Sequence, residues 1–412
     1  MTGVRFCYNK PELQAKKNRP DPQGSRAGAH LPPTAHSHHD APAGRGRTGK
    51  DMSERITLQD IADALGLSRN TVSKAINNTG SIADETRSLV LKKAAEMGYK
   101  QFSYIDISAK KLTIGAEENG LQGAQFVLLM TSWIDSSHFA STLIDRIQYE
   151  LSLLGASLAM YRVLPDELMQ CRLPASLDLT KIRGIFCTEI FHIPYARMLT
   201  HLEIPVVFFD SPVMYSDAPL EADIVLMDNT NYAYPLIRKL ADEGCRHFGF
   251  VGPIRRCRSF YERYTAFRQA LDYWGLAYDP SLSYLGPDSS TPDAPDEVSE
   301  TNLAKLRSFV ESLPACPDAF LCANDFVALD ILRICREKGI EVPGSLKLCG
   351  FDDSAESWII TPTFTTVHIH SQIMGVTAVE LMVSRIREPD LYYRTIHTQA
   401  DLVLRASTEP VR

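Results

Sequence analysis

The chain has 412 residues, 44% of them hydrophobic and 9% aromatic. That is enough apolar material for about two to three domains with real cores, which excludes a wholly disordered, collagen-like or knottin-like chain. The formal net charge of −7 argues against a nucleic-acid partner only if the charge is spread evenly, and it is not. Residues 1–51 carry nine Lys/Arg against four Asp/Glu, residues 52–100 seven against six, and residues 101–412 the remaining 27 against 40.

No apolar run approaches the roughly 18 residues of a membrane span, and the N terminus has no apolar signal core, so a cytoplasmic protein without a membrane partner is expected. Nine cysteines without a single Cys-x-x-Cys pair read as buried free thiols, with no metal site and no cofactor. Residues 1–51 hold six prolines and few aliphatic side chains, and are expected to be a disordered extension. His30, His36, His38 and His39 within it read as incidental. Met52 stands just before ordered patterning begins and is the expected natural start.

From Thr57 the pattern turns helical. Thr57 can cap a helix whose apolar positions are Ile61, Ala62 and Leu65, and Gly66 ends it in a tight turn. Ser68 can cap a second helix with Val72, Ala75 and Ile76 inward. A third runs from about Asp84 to Met97 with Val90, Ala94 and Met97 on one face and Gly98 at its end. Two short helices joined by a glycine turn, closed by a third, make a helix-turn-helix domain over 52–100.

Residues 101–124 read as linker. Beyond them short apolar runs alternate with amphipathic helices. Strands are expected near 125–131, 157–163, 183–188, 204–209, 223–227, 247–251, 318–322 and 346–351. Helices are expected near 138–154, 229–243, 258–274, 325–338 and 371–387. Runs as continuously apolar as Ile204-Pro-Val-Val-Phe-Phe209 imply strands buried on both faces, hence parallel sheets covered by helices. The expected fold is α/β: the small helical head, then a core over 125–412 made of two doubly wound subdomains with a cleft between them, roughly 125–226 plus 368–395 and 227–367 plus 396–412.

The second helix carries two basic residues and no acidic one. Away from its apolar side it presents Arg69, Asn70, Ser73, Lys74 and Asn77, side-chain types that pair with base edges and phosphates in a major groove. A merely solvated polar face is the other reading, which the helix-turn-helix spacing disfavours. The core has no Gly-x-Gly-x-x-Gly, no Gly-x-x-x-x-Gly-Lys-Ser/Thr and no Gly-x-Ser-x-Gly, and adjacent Asp352 and Asp353 on a strand would point apart, so no enzyme is indicated.

The segment Ile56-Thr-Leu-Gln-Asp-Ile-Ala-Asp-Ala-Leu-Gly-Leu-Ser-Arg-Asn-Thr-Val-Ser-Lys-Ala-Ile-Asn77, with Asp84-Glu-Thr-Arg87 and Glu96-Met-Gly-Tyr99, resembles the DNA-binding head of lactose-repressor/galactose-repressor (LacI/GalR) transcription factors. The resemblance continues through Gly184-Ile-Phe186, Ile204–Asp210, Ala323-Asn-Asp325, Val342-Pro343, Gly350-Phe-Asp-Asp353 and Thr365-Thr-Val367, covering about 55–412. It implies a homodimeric regulator, a repressor by expectation, with a periplasmic-binding-protein-like core that senses a small polar effector such as a sugar and binds pseudo-palindromic operator DNA. An activator, or a sensor of a nucleoside or phosphorylated compound, stays open, and a solute-binding protein without regulatory role is the remote alternative.

Carried over by position, the resemblance implies base reading by Arg69, Asn70 and Lys74, and phosphate contact by Ser68, Thr71, Ser73 and Asn77. It implies effector contact by Asp210, Arg263, Asn324 and Asp352. Trp133, His138, Phe139, Thr188 and Trp358 fall in segments expected to line the cleft. Asp325 and Asp353 read as helix or strand caps, and Arg255, Arg256 and Arg258 as a basic loop cluster. The chain departs from the pattern at the hinge, where Gln101-Phe-Ser-Tyr-Ile-Asp-Ile-Ser108 has Asp106 and Ser108 in place of a helix with a wedging leucine. Modest operator bending is expected. Ala83 also replaces a usual serine cap.

Overall fold

A computed structural model describes residues 57–76, 82–97, 120–131, 138–214, 218–286 and 299–409. The extension 1–51, Met52, Asn77, Gly98, the hinge segment 101–108 and Trp133 lie outside the described residues, as do the side chains of His138 and Phe139.

The head consists of α1 (Leu58–Leu65), α2 (Arg69–Ile76) and α3 (Asp84–Glu96). Thr57 and Asp60 form a reciprocal capping box, with the Thr57 hydroxyl accepting from the Asp60 amide while Asp60 accepts from the Thr57 amide. Gly66 closes α1 at φ 63°, a left-handed conformation in which a side chain would be strained. Ser68 Oγ accepts from the Thr71 amide at 3.0 Å and so starts α2. Ile61, Ala62, Val72, Ala75, Ile76, Val90 and Ala94 form the small shared core. The caps and turn fix where each helix starts, and that places all seven apolar residues inward.

The first lobe of the core is a six-stranded parallel sheet of β1 (Gln125–Met130), β2 (Ser157–Arg162), β3 (Ile182–Thr188), β4 (Val206–Phe209), β5 (Asp223–Met227) and, late in the chain, β10 (Thr395–Thr398). Its order is β10-β5-β4-β3-β1-β2. The expected two-sided burial is present: along β1, Phe126, Leu128 and Met130 join one apolar cluster, while Val127 and Leu129 join another on the opposite face. β2 is the exception, an edge strand with only partial burial. Helices α4 (His138–Leu153), α5 (Pro165–Met169) and α6 (Ile193–Thr200) connect these strands.

The second lobe holds the parallel strands β6 (Phe248–Val251), β7 (Ala319–Cys322) and β8 (Lys347–Cys349), with α7 (Ala233–Asp242), α8 (Arg258–Tyr273), α9 (Ser299–Ser312), α10 (Asp325–Glu337) and α11 (Ala355–Ile359). An antiparallel pair, β9 (Thr366–Ile369) and β11 (Ala400–Val403), adjoins it through the Cys349–Thr365 and Asp352–His368 bridges. Helix α12 (Ser371–Arg387) returns to the first lobe. The chain therefore crosses between lobes three times, after β5, after β9 and after β10.

Residues 165–169, 193–200, 299–312 and 355–359 are helical, and 366–369, 395–398 and 400–403 are strands, beyond the elements expected from the sequence. Eight cysteines are described, all of them free and most of them buried. Among the described residues no helix is long and apolar enough to cross a membrane.

Candidate functional site

On α2 the apolar residues Val72, Ala75 and Ile76 are buried, while Arg69, Asn70 and Lys74 are exposed. Helical spacing puts the three polar residues on the side left by the apolar stripe. Ser68 and Thr71 are already engaged with each other: their hydroxyls lie 2.8 Å apart and Ser68 caps the helix. Ser73 is half-buried.

In the first lobe the strand registers pair Met130 with Thr188 and Thr188 with Phe209, so β1, β3 and β4 finish level, while Phe209 pairs with Val225 and Thr398 with Met227, so β5 and β10 finish together two residues further on. Glu189, Asp210 and Asn229 follow those ends. In the second lobe Asn324 and Asp352 follow β7 and β8 in the same sense. Among the described residues, four of the five non-glycine residues with positive φ are acids at these strand ends: Glu189 (57°), Asp210 (62°), Asp352 (107°) and Asp353 (54°). Each such conformation costs about 1–3 kcal/mol and persists only where its surroundings impose it.

Asp210 Oδ1 accepts from the Ser211 amide at 2.7 Å and from the Ser259 amide, in the first turn of α8, at 3.2 Å. With the Arg258 amide donating to the Ser211 carbonyl at 2.9 Å, this stitches the first lobe to α8 of the second. Burial raises the Asp210 carboxyl above its ordinary range against those hydrogen bonds.

Arg263, only 2% exposed, stands three residues further along α8 than Phe260 with its guanidinium 3.4 Å from the centroid of the Phe351 ring. Its Nε donates to Asn229 Oδ1 at 3.0 Å and its Nη1 to the Ala323 carbonyl at 2.6 Å, and its Nη2 stands 3.6 Å from Asp352 Oδ1. Burial pushes the Asp352 carboxyl up to about 7; Arg263 opposes the shift, and Asp325, Asp210 and Glu189 add to it. A buried arginine whose Nη2 stands beside a carboxylate at the strand ends sets hydrogen-bond donors and acceptors side by side, the two halves of a polar hydrogen-bonding site.

Asn324 caps α10, its Oδ1 accepting from the Val327 amide at 3.0 Å. The reading of Asp325 and Asp353 as caps is thereby corrected. Asp325 is fully buried and accepts from Thr366 Oγ1 at 2.7 Å and the Ser354 amide at 2.8 Å, tying α10 to the loop after β8. A Cβ on Gly350 would stand 2.0 Å from Asp325 Oδ1, so that loop passes too close for any side chain. Asp353 accepts from His368 Nδ1 at 2.9 Å and from Arg405, while Ser354 is the cap of α11.

The structure thus gathers Asp210, Arg263 and Asp352, with Thr188 at the neighbouring strand end and Asn324 one residue from the carbonyl that Arg263 grips. Trp358 is not among them; it is half-exposed on α11 with the Arg405 guanidinium 3.8 Å from its ring centroid. Of the basic cluster, Arg258 is bound to Glu262 at 2.7 Å and Arg256 lies over Phe191. Sequence reasoning passed over Glu189, Asn229, Ser259 and Glu262. The one signal for Asn229 was a polar Asp-Asn pair directly after the apolar run Asp223–Met227.

A helix-turn-helix head joined to a two-lobed parallel α/β core defines a DNA-binding transcriptional regulator of the kind built on a periplasmic-binding-protein scaffold. Residues 57–101 match the family model for bacterial regulatory proteins of the lacI family, and residues 237–408 match that for the periplasmic binding protein-like domain. The chain belongs to the LacI family of bacterial transcriptional regulators.

Among its relatives are the HTH-type transcriptional regulator GalR of Lacticaseibacillus casei, 28% identical over 85% of this chain and 99% of that protein, and the HTH-type transcriptional repressor PurR of Mannheimia succiniciproducens, 24% identical over 86% and 99%. The fold is shared with a CelR–cellobiose complex (TM-score 0.58, 22% identity, 86% of this chain and 100% of that one). It is shared too with a lac repressor dimer bound to operator and the anti-inducer ONPF (TM-score 0.53, 19% identity, 86% and 99%).

Proposed function

We propose that this regulator reads a pseudo-palindromic operator as a homodimer through Arg69, Asn70 and Lys74, and that a small polyhydroxylated effector, most simply a sugar, binds between Asp210, Arg263 and Asp352 to change its grip on DNA. The observation that carries the effector half is the arginine–carboxylate set at the C-terminal strand ends of both lobes, since paired donors and acceptors are what vicinal hydroxyls satisfy. Cellobiose in one structural relative and ribose in another are consistent with that chemistry. The DNA half rests on the exposed polar face of α2, and repression is the reading that the repressor relatives support.

Dimerisation is supported by apolar surface that a lone chain leaves uncovered. Met160 on edge strand β2 and Tyr149, Leu164 and Met169 are each about half exposed, and Ile359 on α11 is 81% exposed. Each copy brings one α2 helix, so two adjacent major grooves are read with twice the positive charge of one head.

The test is a thermal-shift screen of the full chain against sugars and nucleosides, followed by operator binding with and without each hit. The proposal expects a sugar to stabilise the protein and alter operator affinity. A nucleoside acting in place of every sugar would replace the effector class, and no shift of operator affinity by any hit would defeat the coupling.

A further inference from the structure

We infer that Asn229, Glu262 and His397 are positioning residues for the effector cleft, holding the Arg263 guanidinium in place and tying that hold to the contact between the two lobes. The inference rests on the assignment of Arg263 to the effector.

Asn229 is fully buried on the crossover after β5, and its amide is used at both ends. Oδ1 accepts from Arg263 Nε at 3.0 Å, while Nδ2 donates to Glu262 Oε2 at 2.9 Å and Ser259 Oγ at 3.3 Å. The amide has one workable orientation, since a flip would set its NH2 against a guanidinium and its oxygen against a carboxylate. Glu262 also accepts from Arg258 at 2.7 Å and from His397 Nε2 at 3.3 Å. Burial alone raises the Glu262 carboxyl, but the donors His397, Asn229 and Arg258 outweigh it and bring it down to about 2, so it stays an acceptor.

The outer end of this relay spans the lobes. His397 is on β10, hydrogen-bonded to β5 in the first sheet, whereas Glu262 is on α8, which packs in the second lobe. The pair meets in an open groove of about 690 Å³ between crossovers, lined also by Asp228, Tyr261, Gln269 and Gln399. Any movement of the lobes that parts His397 from Glu262 removes one of the donors fixing Glu262, hence Asn229, hence the Nε face of Arg263. The relay converts lobe position into arginine position without touching the ligand.

Arginine footprinting with phenylglyoxal on the full chain, read by peptide mass spectrometry without any effector, tests this. Arg385, which is 5% exposed and paired with Asp223 in the first lobe, serves as the internal control. We expect Asn229→Ala to raise Arg263 modification relative to Arg385 by about tenfold, the worth of a buried hydrogen bond. His397→Ala is expected to raise it by a smaller factor, and His397→Gln, which keeps a donor, to restore the wild-type ratio. An unchanged ratio in both alanine variants, a rise at both arginines together, or no rescue by glutamine would overturn the relay. Because the readout needs no effector, a failure of the effector assignment would appear separately, as sugars that leave the melting temperature unmoved.

Discussion

The two arginines proposed for recognition stand in opposite surroundings. Arg69 opens α2 on an exposed face, beside Asn70 and Lys74. Arg263 is buried, flanked by Phe351, and gripped by Asn229 and the Ala323 carbonyl. An exposed arginine keeps its rotamer freedom until a large polyanion orders it, so its contribution is sensitive to salt. A buried arginine has had its conformation fixed on folding, so it presents a single geometry to a small ligand. The head is built for grip on a long charged polymer, the cleft for discrimination.

The largest way to break this contrast is Arg263→Ala, which strands Asp352 without its cationic neighbour. Affinity for the effective sugar is expected to fall by about 3 kcal/mol by calorimetry, the upper end of what hydrogen bonds to a charged group contribute. Next comes Lys74→Ala, expected to cost about 1–3 kcal/mol against the preferred operator, with little effect on sugar affinity, measured by fluorescence anisotropy.

The pH dependence sharpens the cleft side. Asp352 titrates near 7 in the folded protein, and hydroxyl donors favour its ionised form, so sugar affinity should rise between about pH 6 and 8, by at most about tenfold per unit below 7. Asp352→Asn should flatten that profile. The sign for folding is the reverse: the unfolded chain releases this proton near 3.8 and the folded one holds it to about 7, so this group's contribution to stability declines as pH rises between those values. Smallest is Thr57→Ala, which removes the hydroxyl of the α1 capping box and should cost about 1 kcal/mol of head stability by chemical denaturation.

How much of this was legible depended on range. Thr57, Gly66 and Ser68 announce their turns within a few residues, and all three do what their chemistry suggests. The apolar runs marked eight strands of the core, seven of them buried enough to leave an unbroken apolar signal, while edge strand β2 was legible from its short apolar run despite only partial burial. β10 and β11 escaped because they are only partly buried and mix polar with apolar residues. Short α11, and α6 with a proline in its first turn, offered too few periods to read. At the cleft, strand ends placed Asp210 and Asp352, whereas Asn229 and Glu262 are defined by partners more than thirty residues away. Nor could spacing tell that Asn324 rather than Asp325 caps α10, since either side chain suits that position and the loop through Gly350 decides it.

The central claim is that one chain carries two separable recognitions joined by coupling. It is tested most directly by measuring operator anisotropy and sugar calorimetry on Arg69→Ala and Arg263→Ala side by side. The account predicts that Arg69→Ala loses operator affinity and binds sugar normally, while Arg263→Ala binds operator normally and no longer responds to sugar. An Arg263→Ala protein that still changes its operator affinity with sugar at wild-type concentrations would contradict it.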